Sequence, residues 1–442
     1  MHIMNKIARN EQTYLKVRFI RNAFWPKKFK NFIFLQTPNS FRWRLSPLSL
    51  FQEDRAKEFT LQRDSIYTTE QQIYRLRRNT INYLSSYSRS WSNRDLLSFK
   101  TKWNISILRR YLFRMATVAL PKLRNLHDKM LMQFSCSPKQ PTSIIFDLDS
   151  TVLTLYGKQE LARIGYNPSK PGRVSYHPLL CFNGLTKDYW HGELRSGDTH
   201  TSTGAIEILE SSFAKMPASV KTAKIRADRG FFNHKIIETI ESYKAKFIIV
   251  AKATRPIKRK LSSLRYRKHT SGTESAHFYY QPHGWQKKYR FIVIRRPLPE
   301  EQTNQLSLFT KGRYSYQVFV TNMTQTALYC WKFYNKRASV ELIIKELKHD
   351  YPLAKIPTKH FHANEAYFHI LLFSYNLLNW FKRLCLPKEF HTMTLNTLRY
   401  RLLLIPGEFV RSGNKPVLKL PANFQYKSAF QFAIKNIKKL KF

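Results

Sequence analysis

The sequence predicts an α/β fold, a layered core interrupted by a β-rich insertion, with helical regions before and after it. Three observations lead there. From about Pro141 onward, short runs of β-branched and aromatic residues alternate with segments of helical period. Between about 252 and 325 three more strand-like runs follow one another with no helical segment between them. On either side, residues 1–140 and 326–405 carry apolar residues at helical spacing.

Residues 1–140 form the first region. They hold 27 Lys and Arg against 8 Asp and Glu, and no glycine occurs before Gly157. The usual abundance of roughly 7% would place about eleven in that length. The segments "QQIYRLRRNTINYLSSYSRSW" and "ISILRRYLFRMATVALPKLRNLHDKMLMQF" predict basic, aromatic-bearing helices suited to DNA, the alternative being a degenerate arm that was never selected to fold. The first part of the core spans 141–251. There "SIIFDLD", "YHPLLCFN" and "YWHGELR" read as strands, "GAIEILESSFAKM" as a helix, "AKIRAD" as a strand, "NHKIIETIESY" as a helix and "KFIIVAK" as a strand. Asn183-Gly184 is a hairpin turn signal, so the layer starts antiparallel. The insertion, 252–325, contains "AHFYYQP", "YRFIVIRR" and "YSYQVFVTN". The core is completed over 326–405 by a long helix from Thr326 to Lys348 and an apolar helix near 365–386, and 406–442 reads as a basic tail. No internal repeat is visible.

Bulk properties narrow the function. With 442 residues and 43% hydrophobic content the chain can build real cores. Lys and Arg number 76 against 28 Asp and Glu, a formal charge of +48 that favours an anionic polymer as partner, and nucleic acid fits best. An acidic membrane fits less well, because the cations are spread along the whole chain. The most apolar stretch, Ala366 to Leu386, is interrupted by His369, Asn376, Asn379, Lys382 and Arg383 and reads as a buried amphipathic helix. The N-terminal residues lack the apolar run of a secretory signal, and Cys136, Cys181, Cys330 and Cys385 form no paired motif, so a reducing cytoplasm is expected.

The chemistry concentrates in three places. In "IIFDLDSTVL", Asp147 and Asp149 are two apart in a strand and project from the same side. This D-x-D-x-T is similar to the first motif of haloacid dehalogenase-like phosphatases, in which the two acids act as nucleophile and acid. Such an enzyme needs a downstream acidic pair, and "SGDTHTSTG" supplies Asp198 alone. In "IRADRGF", Asp228 ends a strand just before a helix, a position from which a side chain can enter a cleft. In "FYNKRASVELIIKELK", Tyr334, Arg337, Glu341 and Lys348 fall within an arc of roughly 60° if one helix carries them all, leaving Leu342, Ile343 and Leu347 for packing.

The spacing Y-x-x-R-x-x-x-E-x-x-x-x-x-x-K resembles the signature of bacterial insertion-sequence DDE transposases. "DLDST", "GYNPSKPGRVSYHPLL" and "RADRGF" also resemble that family, in its branch with a D-x-D-x-T first motif, and the likeness covers about Thr142 to Leu404. The resemblance implies an RNase H-like catalytic core in which Asp149, Asp228 and Glu341 ligate two Mg²⁺ or Mn²⁺ ions, with Asp147 a competitor for the place of Asp149. It implies binding of double-stranded DNA, both inverted-repeat ends and target, by a homodimer in a synaptic complex, with strand cleavage and strand transfer in the nucleoid. The chemistry agrees: hard cations take carboxylate oxygens, and two of them about 3.5–4 Å apart clamp the attacking and leaving oxygens of a phosphodiester. Arg337 and Lys348 would hold transposon-end phosphates, and Tyr334 would pack against or bond that backbone. Trp285 in "PHGWQKKYR" would stack on a flipped base, or else belong to the core of the insertion. The run "TRPIKRKLSSLRYRKH" reads as a DNA-backbone contact or a solvated loop, and His177 beside Pro178 as structural. The phosphatase and a non-catalytic DNA-binding protein remain the alternatives.

Overall fold

The computed structural model describes residues 15–18, 32–37, 40–45, 105–136, 140–270, 272–298, 309–311, 314–405, 407–412, 415–421 and 423–440. The chain divides into two compact units, one of residues 1–108 and 377–442, the other of residues 109–376. In the first unit, strands β1 (Leu15–Arg18), β2 (Phe32–Thr37) and β3 (Ser40–Leu45) occupy a region in which the sequence predicts helices. β2 and β3 pair antiparallel. "SFRWRL" alternates aromatic and basic residues at period two, which is the strand period and not the helical one. "QQIYRLRRNTINYLSSYSRSW" lies outside the described residues. The later segment, which from Arg109 on belongs to the second unit, is helical as expected, as α1 (Ile105–Arg114) and α2 (Leu120–Ser135) joined through a π-helical turn at Met115–Ala119.

The second unit is built on one large sheet. Its elements in order are β4 (Ser143–Ser150), β5 (Leu153–Thr154), β6 (Arg163–Ile164), β7 (Val174–Tyr176), β8 (Leu179–Asn183), β9 (Tyr189–Glu193), α3 (Ala205–Ala214), β10 (Thr222–Ala227), α4 (His234–Ser242) and β11 (Lys246–Val250). There follow α5 (Arg255–Ser263), β12 (Arg267–Lys268), β13 (Glu274–Tyr280), β14 (Tyr289–Pro297), β15 (Phe309–Lys311), β16 (Tyr314–Thr321), α6 (Ala327–Asn335), α7 (Ala338–His349) and α8 (Phe361–Cys385), whose residues from Leu377 on belong to the first unit. The sheet runs β12-β13-β14-β16-β11-β10-β4-β8-β9, with β15 on β16. β4, β10 and β11 are parallel, whereas β8 joins β4 and β9 joins β8 antiparallel across the predicted hairpin turn.

Parallel strands are stable when both faces are covered, and the sequence provides for that. Phe146 and Leu148 on β4, Ile225 and Ala227 on β10, and Phe247, Ile248 and Ile249 on β11 are all fully buried. Phe146 meets Phe213 of α3 edge to face, 5.7 Å between centroids. On the sheet's other side, Cys330, Trp331 and Phe333 of α6 pack with Ile248, Ile292, Ile294 and Phe319.

Four expectations change. The strands of 252–325 form no separate layer: β16 pairs antiparallel with β11 and extends the same sheet, which covers an edge that would otherwise expose unpaired backbone groups. Within that region α5 is helical, although only Ile257 and Leu261 are buried and Pro256 stands in its first turn, so its apolar period is too short to read from sequence. The long helix expected from Thr326 to Lys348 is two helices, because the Arg337 N–H bonds to Tyr334 O three residues back, at 2.8 Å, and tightens the chain there. The "basic tail" contains an antiparallel pair, β17 (Glu408–Ser412) and β18 (Lys415–Leu420), the latter also pairing with β1, and a helix at Lys427–Ile437. Among the described residues no helix is long and apolar enough to cross a membrane.

One buried ion pair ties the layers of the second unit together. Asp147 and Arg226 are register partners on β4 and β10, and each is at most 1% exposed. Arg226 donates through Nε to Asp147 Oδ1 and through Nη2 to Asp147 Oδ2, both at 2.6 Å, and through Nη1 to Phe333 O of α6 at 2.9 Å. Gly184 lies against this pair, and a Cβ there would fall 2.5 Å from Arg226 Nη2 and 2.7 Å from Asp147 Oδ2. Breaking such a pair strands a charge, whereas replacing both partners does not. Arg226→Met should therefore cost about 3–5 kcal/mol in urea unfolding. The double variant Arg226→Met with Asp147→Leu should recover much of that loss, and a double variant as unstable as the sum of the singles would contradict this reading.

Candidate active site at the carboxyl rim of the sheet

β4 and β10 end side by side because they are parallel and in register, Arg226 opposite Asp147 and Ala227 opposite Leu148. Continuing the register by one residue sets Asp228 beside Asp149, about one strand spacing of 4.8 Å apart. Asp149 is buried at the end of β4, and its Oδ1 accepts the Ser150 N–H at 2.9 Å. Asp228 caps a single 3₁₀ turn at Arg229–Phe231 by accepting the Gly230 N–H at 2.8 Å. Gly230 must be glycine for this, since a Cβ would lie 2.5 Å from the Thr201 side chain.

The third acid comes from α7. Arg337 at its start is 4% exposed and turns inward, donating to Leu148 O at 2.9 Å and pairing with Asp149 Oδ1 at 2.9 Å. One turn on, Glu341 Oε1 lies 3.9 Å from Arg337 Nη1, with its side chain 69% exposed. Lys348, two turns further, donates to Val152 O at 3.0 Å just beyond β4. Tyr334 stands on α6, not on α7, and packs on Phe319 with centroids 4.8 Å apart. Arg337, Glu341 and Lys348 thus share one flank of α7 as the spacing predicts. Of the expected packing residues, Ile343 and Leu347 are buried and Leu342 is exposed. The inward course of Arg337 and Lys348 onto backbone carbonyls of the β4 segment is what sequence reasoning missed.

Electrostatics mark this rim. Asp149 has its carboxyl pushed up to about 6, chiefly by burial and further by the charges of Asp228 and Glu341, against the opposing pull of Arg337 and the Ser150 N–H. Burial opposes the charge on Arg337, but Asp149 leads a group of neighbours that hold it firmly protonated. Tyr334 is pushed up to about 12 by burial and so stays neutral. Negative charge at the rim exceeds the cation present. Three carboxylates are the oxygen donors a hard divalent cation takes, so the donor chemistry fits such an ion. The geometry is open: among the described residues no three His, Cys, Asp or Glu side chains are gathered closely enough to grip an ion as they stand.

The other candidates lie as follows. Asp147, the competitor for first acid, is sealed against Arg226, and an acid with both oxygens so held is no nucleophile for a phosphatase. Trp285, in the β13–β14 turn, stacks on His234 at 5.0 Å and meets Phe232 at 5.1 Å and Tyr289 edge-on at 5.2 Å. His177, read as structural, is buried and neutral, its pKa lowered chiefly by burial, and it bridges Thr199 O and the Ser150 hydroxyl.

Residues 104–442 match the family described as transposase DDE domain group 1, and the chain belongs to that family. No curated protein matches it. Among solved structures the chain is similar to the piggyBac transposase synaptic complex with hairpin DNA, at 14% identity over 88% of this chain and 80% of that chain, with a TM-score of 0.39. It is also similar to a pre-cleavage Mos1 transpososome, at 10% identity over 44% of this chain and 61% of that chain, with a TM-score of 0.16. Both scores are too low to define a shared fold.

The raised Asp149 carboxyl fixes a pH dependence. The folded state takes up the proton near pH 6 and the unfolded chain near 3.8, so the stabilisation is complete below about pH 4 and is lost as pH rises through 6. Ionised Asp149 then costs on the order of 3 kcal/mol at pH 7. In chelator, Asp149→Asn should melt higher than wild type at pH 7, with a difference that shrinks towards pH 4; a difference independent of pH would refute the assignment.

Proposed function

We propose that the chain is a transposase of the insertion-sequence type that cuts and joins DNA at the carboxyl rim of its sheet, with Asp149, Asp228 and Glu341 as metal ligands. The observation that carries this reading is that Asp149 and Asp228 lie at the ends of adjacent parallel strands, with Arg337 bridging from Asp149 towards Glu341 at the start of α7. The order β9-β8-β4-β10-β11, antiparallel then parallel, supports an RNase H-like core over 141–251, extended by the insertion and completed by α6 and α7. The Y-R-E-K spacing supports membership of the bacterial branch with the D-x-D-x-T first motif.

Mg²⁺ or Mn²⁺, two ions at this rim, would stabilise the attacking and leaving oxygens of the phosphodiester. The chain's own residues prepare the place. Asp149 and Asp228 are set by strand register, and Glu341, exposed on the first turn of α7 beside Arg337, would turn towards them. Arg337 keeps Asp149 oriented and balances its charge, and Lys348 fastens α7 to the end of β4. A phosphate entering here would meet Lys348 first, since Arg337 is buried against Asp149 and Leu148 O. Tyr334, packed on Phe319 and held neutral, would hydrogen-bond the phosphate backbone through its hydroxyl. Trp285 already has aromatic neighbours, so stacking on a flipped base would be an exchange of partners. We further infer inverted-repeat ends and target DNA as substrates, a homodimer as the working form, the cytoplasm and nucleoid as location, and DNA contacts by residues 1–140.

The test is metal-dependent cleavage of a duplex carrying the element's terminal repeats. Asp228→Asn should retain DNA binding and lose nicking by more than the roughly 10–100-fold that removal of an outer-shell partner costs. Nicking by the variant at the wild-type rate would defeat the site assignment. Binding without cleavage by wild type in both Mg²⁺ and Mn²⁺ would favour a non-catalytic DNA-binding protein. Arg337→Ala should reduce end binding and cleavage together, and unchanged cleavage removes Arg337 from the site.

A further inference from the structure

We propose that α5, with Lys252 just before it, is a cationic ridge that holds the phosphate backbone of duplex DNA flanking the acid rim. The inference rests on the DNA reading above. Between Glu241 and Glu274 the chain has ten Lys and Arg and no acid. That charge is placed by the fold. β4, β10 and β11 are parallel, so their carboxyl ends share one edge of the sheet. Asp149 and Asp228 stand on two of those ends, and the chain leaves the third, that of β11, through Lys252 into α5. DNA with one phosphate at the acids would offer its flanking phosphates to α5.

The helix itself is oriented for this use. Its apolar pair, Ile257 and Leu261, one turn apart, is buried against the protein. Arg255 and Arg259 fall on the opposite side, also one turn apart, and both are exposed, as is Lys260 on the flank. Nothing local favours such a helix. Its first turn has no acid and Thr254 makes no side-chain cap, while Arg255 and Arg259 repel each other and oppose the dipole at the N-terminus. An anion laid along the ridge relieves both conflicts. A lipid surface would not, because the apolar face that a membrane-binding helix inserts is already used within the fold.

The experiment measures binding of a labelled terminal-repeat duplex by the full chain over a range of KCl. The variant R255E/R259E/K260E is compared with K221E/K244E/K246E, which makes the same change of charge at exposed positions, two of them, Lys221 and Lys246, at the opposite ends of β10 and β11. The ridge variant should bind at least about tenfold more weakly near 0.1 M salt, with a salt slope smaller by roughly two to three, as for three lost phosphate contacts. The control should differ little from wild type. R255Q/R259Q/K260Q, which leaves helix and fold least disturbed, should fall between, and thermal melts establish that each variant is folded. Equal loss in both glutamate variants would show a net-charge effect and overturn the ridge, as would wild-type affinity in the ridge variant. If wild type itself binds no duplex, the DNA reading fails, and that outcome is distinct from failure of the ridge alone.

Discussion

Two carboxylates one strand apart at the end of a buried parallel sheet repel each other in a place where water screens them poorly, and the second unit is arranged around that repulsion. Asp149 and Asp228 have no freedom to separate, because the register of β4 on β10 places them and the buried side chains of both strands lock that register. The charge is met by Arg337 and by the raised affinity of Asp149 for a proton.

Two arginines divide the labour. Arg226 neutralises Asp147 inside the sheet and reaches Phe333 O of α6, which makes the inner acid part of the scaffold. Arg337 meets Asp149 at the rim and also bonds Leu148 O, which positions the start of α7 and therefore Glu341. Asp147 and Asp149 are chemically alike and face the same way, yet one is structural and the other stands with the site, and the difference is two residues of depth.

A formal +48 would be a burden on a free globular chain, and it favours an anionic polymer as partner.

The strands and helices of 141–251 were legible because their periods are clean, and the three candidate acids stand out because each sits in a short, distinctive motif: "FDLDST", "RADRGF" and the Y-R-E-K spacing. The strands at 32–45 and the helix α5 were not, the first because the surrounding composition suggested helix, the second because two buried residues make too faint a period. What the residues alone determined was the chemistry available: which acids, which cations, and in what order along the chain. Only the tertiary structure decided which acid is sealed, that Arg337 turns inward, and that the chain passes from β11 into α5 at the acids' own edge. Those outcomes depend on strand register and on burial between residues about eighty or more apart, and a local pattern carries no information about either.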